Sequence, residues 1–171
     1  NYASSGSGTI VHLTTEAFKA QAGIYVTHIP YRGTALAIPD LVSNKVQILF
    51  DSIVSGMPHV KDGKLKALAV TGRTRSALAP ELPTVAESGL PGFDSTTWFG
   101  IYGPKGLPAE LTAKLNAEFN KALQSAEVRE RLARLGADVA AANTPAQFAA
   151  LVQADSERWA DIIRERKITL D

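Results

Sequence analysis

Asn1-Tyr2-Ala3-Ser4-Ser5-Gly6-Ser7-Gly8-Thr9 runs directly into Ile10-Val11-His12-Leu13. The first three residues read as the tail of a strand, and Ser4 to Thr9 as a Gly/Ser loop. Val11, Leu13, Ala17, Phe18 and Ala22 then recur with helical spacing, and Gly23 stands where a left-handed C-cap belongs. Ile24 to Ile29 is rich in β-branched residues and predicts the next strand. Strand, loop, helix and strand in this order make a βαβ unit. Such a unit implies a parallel sheet with right-handed crossovers.

The alternation continues downstream. Pro30 to Gly33 turns the chain, and Thr34 to Asn44 has helical spacing through Leu36, Ala37, Leu41 and Val42. Pro39 conflicts with that helix, because proline removes one hydrogen bond and clashes with the preceding turn. The helix therefore either begins near Ile38 or kinks. Val46 to Phe50 predicts a strand ending at Asp51, Ser52 to Asp62 a short helix closed by Gly63, and Leu65 to Thr71 a buried strand. Residues 73–94 are punctuated by Pro80, Pro83, Gly89, Pro91 and Gly92 and read as a connector, with one helical turn at Thr84 to Ser88. Ser95 to Tyr102 reads as an extended crossing strand in which Trp98 is a packing residue.

The remainder is mainly helical. Pro108 marks a helix start, and Leu111, Leu115, Phe119 and Leu123 form an apolar stripe. Val128, Leu132 and Leu135 make a shorter one, ending at Gly136. Here Arg129, Arg131 and Arg134 alternate with Glu127 and Glu130 as a solvated face. Asp138 to Ala142 is a candidate short strand. Thr144 caps a third helix whose buried side carries Phe148, Val152, Trp159 and Ile163.

The bulk numbers narrow the class. The 171 residues, 45% hydrophobic and 20% charged, suffice for one core or two small lobes. A net charge of +1 gives no field for nucleic acid or a membrane surface. The absence of cysteine excludes disulfides, thiolate metal sites and cysteine nucleophiles. No apolar run approaches the ~20 residues of a membrane span, so direct membrane insertion is not expected. The chain carries no signal peptide and opens at Asn1 inside a strand pattern, which reads as a processed or truncated start.

In an open parallel sheet, ligands bind beyond the carboxyl ends of the strands. That rule selects three loops: Ser4, Ser5, Gly6, Ser7, Gly8 and Thr9; then Tyr31, Arg32 and Gly33; then Asp51 with Ser52. The first combines two glycines and four hydroxyls before a helix N-terminus, a receptor for phosphate or carboxylate. It reads equally as a tight capped turn. Arg32 offers a planar fork to a carboxylate, or is a solvated surface residue. Tyr31 offers a hydroxyl or a ring wall, or simply packs. Asp51 accepts from a ligand amine or hydroxyl, or caps the next helix. No Gly-Lys-Ser/Thr follows Gly8, so this is not a nucleotide P-loop. No Gly-x-Ser-x-Gly elbow is present, and three scattered histidines make no metal site. His12 reads as a packing or surface residue in the first helical turns.

Several segments together resemble the substrate-binding proteins of tripartite tricarboxylate transporters, the Bug receptors. They are Tyr2 to Thr9 with His12-Leu13, Ile29-Pro30-Tyr31-Arg32-Gly33, Asp40-Leu41-Val42 and Val46 to Asp51. Pro58 to Thr71, Leu82 to Gly89 and Trp98-Phe99-Gly100 complete the set. The resemblance implies an α/β fold of the type II periplasmic-binding-protein kind, a parallel-rich sheet flanked by helices in a two-lobed flytrap. Residues 1–95 would be the second lobe. Residues 96–171 would be the crossover strand and the C-terminal helical part of the first lobe, whose N-terminal part would lie before Asn1. It implies a periplasmic receptor that takes small carboxylates at Ser4 to Thr9, at Tyr31-Arg32-Gly33 and at Asp51, and passes them to membrane transporter subunits. No cofactor, metal or catalysis is implied. Arg32 stands where the family often has Lys. Two alternatives remain: a ligand-sensing domain without transport, and a serine hydrolase using Ser5 or Ser7 with His12.

Overall fold

Tyr2, Ala3 and Ser4 form β1, and all three are completely buried. The strand is short, but both of its edges are hydrogen-bonded. It pairs in parallel with β2 (His28–Pro30) on one side and β3 (Ile48–Leu49) on the other, giving the order β2-β1-β3. The computed structural model describes residues 1–169. Successive side chains of a strand point to opposite faces. Tyr2 turns its hydroxyl to Glu16 of α1 (Ile10–Ala22), at 2.6 Å. Ala3 turns the other way, into an apolar cluster with Ala37 of α2 (Thr34–Val42) and Val46. Ile29, Tyr31, Leu41 and Leu49 complete that cluster. Helices therefore cover both faces of the sheet, as parallel strands require.

The helices begin and end where their local chemistry dictates. Thr9 caps α1, its hydroxyl accepting from the His12 amide, and Gly23 closes it in the left-handed conformation with φ 65°. Ser52 caps α3 (Ile53–Lys61) through the Ser55 amide at 3.2 Å. α2 runs through Pro39 from Thr34 onward, so it does not begin late at Ile38. Pro39 follows closely on the first turn, and the helix forgoes the single hydrogen bond its N–H would have made to the carbonyl four residues back.

Five strand expectations need correction. Pairing with β1 is confined to three residues, so Ile24 to Thr27 stay outside the sheet, with Tyr25 84% exposed. For the same reason the Val46 to Phe50 strand reduces to two residues. Leu65 to Thr71 forms no strand. Val70 alone makes a parallel bridge, to Thr84, and Leu68 is 68% exposed. Ser95 to Tyr102 and Asp138 to Ala142 lie outside any described strand.

The chain divides into two units. One comprises Asn1–Thr97 with the segment from Trp159 onward, and the other Trp98–Arg158. In the first, the connector is tied down rather than loose. The Ser95 amide donates to the Thr71 carbonyl at 2.8 Å, and the Thr14 and Ser95 hydroxyls pair at 2.6 Å. Phe93 meets Phe18 of α1 edge to face. Thr84 and Glu87 form a reciprocal capping box, and Arg75 pairs with Glu87.

The second unit contains α4 (Ala109–Leu123), α5 (Ala126–Arg134) and the first part of α6 (Pro145–Glu165), which ends in the first unit. Thr144 caps α6 in a reciprocal pair with Gln147. On α5, Arg131 pairs with Glu127 and Arg134 with Glu130, all four exposed, so this is the solvated face read from the sequence. The Trp98 indole N–H donates to Asp155 at 2.9 Å. Phe148 lies between Trp98 and Tyr102, at centroid distances of 5.6 and 5.3 Å, and packs directly over Gly100.

A β-carbon at Gly100 would fall 2.1 Å from Cζ of Phe148, whose ring is already flanked on two sides. We expect Gly100→Ala to displace the ring and destabilise by about 1–3 kcal/mol, the usual cost of overpacking. Urea unfolding followed by tryptophan fluorescence measures it. An unchanged midpoint with an unchanged near-ultraviolet spectrum would show that the aromatic set yields without cost.

Candidate functional site

Because all three strands run parallel, their carboxyl ends share one edge of the sheet. The loops after β1, β2 and β3 leave from that edge, and each leads into a helix: α1, α2 and α3. Ser4 closes β1, and the other residues selected from the sequence lie in these loops. The sheet also joins the first two directly, since the Tyr31 amide donates to the Ser4 carbonyl at 3.1 Å. Three helix N-termini beginning at one edge concentrate partial positive charge there.

The loop from Ser4 to Thr9 is held by its own hydroxyls. The Gly6 amide donates to Ser4 Oγ at 3.1 Å, Ser5 Oγ donates to Thr9 Oγ1 at 2.9 Å, and Thr9 Oγ1 donates to the Gly6 carbonyl at 2.8 Å. Gly6 has φ 131° and Gly8 φ 74°, values that L side chains rarely adopt. The Gly8 amide donates to His12 Nδ1 at 3.0 Å. That nitrogen is occupied by the loop backbone, and Ser5 Oγ is directed to Thr9, so the pairing of Ser5 with His12 that a hydrolase would need is not formed.

The second loop divides its roles. Tyr31 donates its hydroxyl to Asp40 Oδ2 at 2.8 Å, and Lys45 meets the other oxygen of Asp40 at 3.0 Å. Hydrogen bonds from Lys45 and Tyr31 hold the Asp40 carboxyl below its ordinary range, and the bond to Asp40 pushes the Tyr31 phenol up. The Tyr31 hydroxyl is thus engaged within the chain, and its ring packs against the Ala3 cluster. Arg32 is exposed and makes no ion pair among the described residues. Gly33, at φ 113°, occupies the N-cap of α2 and contributes no side-chain cap. In the third loop, Asp51 Oδ1 accepts from the Ser52 amide at 2.8 Å. Its Oδ2 is buried and has no hydrogen-bond partner among the described residues.

Behind the first loop lies a polar layer that the sequence reading missed. Glu16, 6% exposed, receives the Tyr2 hydroxyl, the Lys19 ammonium and, at 2.9 Å, the Arg166 guanidinium from the chain's last segment. Burial raises the Glu16 carboxyl's pKa. Hydrogen bonds from Lys19, Tyr2 and Arg166, and the charge of Lys19, outweigh this and hold it at about 2. Burial and the bond to Glu16 push the Tyr2 phenol well above its ordinary value. The signal was present as His12, Glu16 and Lys19 at helical spacing on α1, on the face that Tyr2 and Ser4 meet. Among the described residues, no cluster of three or more His, Cys, Asp or Glu is placed to hold a metal ion. Among the same residues, no helix is long and apolar enough to cross a membrane.

Comparison with known proteins places this site in context. The family model described as "Tripartite tricarboxylate transporter family receptor" matches residues 1–168. A UPF0065 protein from the tcbD-tcbE intergenic region of Pseudomonas sp. (strain P51) is 39% identical over 169 residues, covering 98% of this chain and 50% of that protein. The chain spans about half the length of this and several other curated relatives it matches. Among solved structures, R. palustris Rpa4515 with adipate superposes with a TM-score of 0.81 at 31% identity, covering 99% of this chain and 56% of that one. The periplasmic binding protein BugD gives 0.77 at 32%, covering 99% and 57%. MatC from Rhodopseudomonas palustris with bound malate gives 0.73 at 35%, covering 95% and 56%. The fold is that of periplasmic solute-binding proteins.

The buried carboxylate carries a pH signature. A pKa lowered from the ordinary 4.5 to about 2 gives stability that is complete above the unfolded value and is lost as pH falls through the folded one. Stability from this group should therefore hold down to about pH 4.5 and drain away toward pH 2. Glu16→Gln leaves Lys19 and Arg166 facing a neutral amide and should cost about 3 kcal/mol at neutral pH. It should also remove that part of the acid dependence. Urea titrations of both proteins between pH 7 and pH 3 give the check, and parallel curves would refute the assignment.

Proposed function

The chain belongs to the tripartite tricarboxylate transporter family of receptors, and on that premise we propose that it takes part in capturing a small organic carboxylate. The carrying observation is the convergence of three loop-to-helix junctions at the carboxyl edge of one parallel sheet. Backbone N–H groups at helix N-termini receive an anion without a matching positive side chain. Ser4 to Thr9 supply the main cradle, Tyr31-Arg32-Gly33 a wall and one exposed cation, and Asp51 an acceptor. The protein is a receptor and performs no chemistry on its ligand. Solved relatives hold adipate and malate, which supports dicarboxylates as the class.

Asp51 refines that class. A carboxylate at an anion site repels a second one, yet its buried Oδ2 lacks a donor. A ligand that brings a hydroxyl or ammonium beside its carboxylates would satisfy it. Hydroxy- and amino-dicarboxylates therefore fit better than unsubstituted ones. In this reading the receptor works in the periplasm, residues 1–95 form the ligand-bearing part of one lobe, and residues 96–171 carry the chain back to the other. Membrane subunits of a tripartite transporter receive the ligand.

Thermal unfolding against mono-, di- and tricarboxylates tests the reading. A ligand at about 100 times its Kd adds roughly 2.7 kcal/mol, and we expect a raised Tm with dicarboxylates. No shift with any acid, in this chain and in a version extended to the length of its relatives, would overturn it. Asp51→Asn should narrow the preference for malate over succinate by about tenfold, roughly 1.4 kcal/mol, while leaving succinate binding intact or improved. Titration calorimetry measures both.

A further inference from the structure

Asp40 holds both ends of α2. Its Oδ2 accepts the Tyr31 hydroxyl at 2.8 Å, from the loop that enters the helix. Its carbonyl accepts the Lys45 and Val46 amides at 2.9 and 3.3 Å, on the way from the helix to β3. Its Oδ1 meets the Lys45 ammonium at 3.0 Å. Tyr31 is fixed at two further points. Its amide donates to the Ser4 carbonyl at 3.1 Å, and its ring packs against the cluster of Ala3, Ala37 and Val46. It also borders the first loop, since a β-carbon at Gly6 would stand 3.5 Å from the Tyr31 carbonyl. Tyr31 is thus tied to β1 through Ser4 and, through Asp40, to the lead into β3.

Arg32 and Gly33 follow directly on that anchored residue. Arg32 is exposed and makes no ion pair among the described residues, and Gly33 opens α2 at φ 113° with no side-chain cap. A guanidinium engages a carboxylate well only in a defined geometry, and ordering a loose loop on binding costs affinity. We propose that Asp40 is a positioning residue for the carboxylate site: by holding the Tyr31 hydroxyl it fixes the backbone from which Arg32 and the N-terminus of α2 meet the ligand, without touching the ligand itself. The proposal rests on the receptor reading above. Lys45 completes the arrangement in two ways. It balances the charge of Asp40, so the carboxylate that steadies the loop presents no net charge to an arriving anion. It also takes the second oxygen, so both are engaged and Asp40 does not draw Arg32 away from the edge.

The test compares the wild-type chain with Tyr31→Phe, Asp40→Leu, Asp40→Asn and the double variant Tyr31→Phe/Asp40→Leu. Phenylalanine keeps the ring in the Ala3 cluster and removes only the hydroxyl. Leucine removes the acceptor. Asparagine keeps an acceptor at the same charge as leucine, so the pair separates hydrogen bond from charge. Backbone amide relaxation of the ligand-free proteins by NMR should find Arg32 and Gly33 rigid in the wild type and Asp40→Asn, and loosened in Tyr31→Phe and Asp40→Leu. By titration calorimetry, affinity for malate, succinate or adipate should fall about tenfold in Tyr31→Phe and in Asp40→Leu, and stay within about threefold in Asp40→Asn. The double variant should bind no more weakly than either single one. Arg32 and Gly33 amides that stay rigid in Tyr31→Phe overturn the proposal, and that variant decides the matter if Asp40→Leu does not fold. Binding as weak in Asp40→Asn as in Asp40→Leu overturns it by making charge the cause. A Tyr31→Phe loss that adds in full to the Asp40→Leu loss overturns it by showing that the hydroxyl meets the ligand itself. Amides that loosen as expected in a protein that binds no carboxylate would sustain the loop-holding role and overturn the receptor reading instead.

Discussion

β1 is three residues long and is the strand bonded on both edges, and the rest of the first unit is arranged around that limitation. A parallel ladder extends only as far as its central strand offers partners. With three residues on offer, β2 and β3 stop after three and two. So short a sheet cannot hold itself together by backbone pairing alone. What stabilises it is burial on both faces, Ala3 with α2 on one side and Tyr2 with α1 on the other. Small Ala3 lets Ala37 come close, whereas Tyr2 fills the opposite face and carries a hydroxyl that must be satisfied.

That hydroxyl explains the buried charges. Glu16 accepts it, and a buried carboxylate is tolerated only when cations answer it. Lys19 does so from one turn further along α1, and Arg166 does so from 150 residues away in sequence. An arrangement of this kind contributes little net stability compared with an apolar replacement. Its effect is positional. It fixes the orientation of α1, ties the chain's last segment to the first strand, and sets the height of the Ser4 to Thr9 loop above the sheet.

The parts of the fold that could be read from sequence were those with local causes. Thr9, Gly23, Ser52 and Thr144 act as caps because capping depends on a few adjacent atoms. The edge loops were legible because alternation of strands and helices forces a parallel sheet, whose ligand edge is fixed by topology. Strand extents were not legible, because Leu65 to Thr71 and Ser95 to Tyr102 have strand-like composition and pairing depends on partners remote in sequence. The polar layer was hidden for a related reason. His12, Glu16 and Lys19 look like a solvated stripe until Tyr2, His28 and Arg166 are known to close over it.

The distribution of charge also bears on what kind of site this edge can be. Lys19 and Arg166 face Glu16, Lys45 faces Asp40, Arg75 faces Glu87 and Arg73 faces Asp94. Among the residues of the three loops, Arg32 is the cation that remains exposed. An anion arriving there meets helix N-termini and hydroxyls rather than a cluster of ammonium and guanidinium groups. Dipoles of fixed backbone groups attract less strongly than full charges and need little rearrangement on binding. A loop shaped in advance by the hydroxyls of Ser4, Ser5 and Thr9 needs little rearrangement to receive an anion, which suits the capture proposed above. Ser4 and Ser5 serve as hydrogen-bonding struts, and a hydroxyl that holds a backbone in place is poorly available as a reactant.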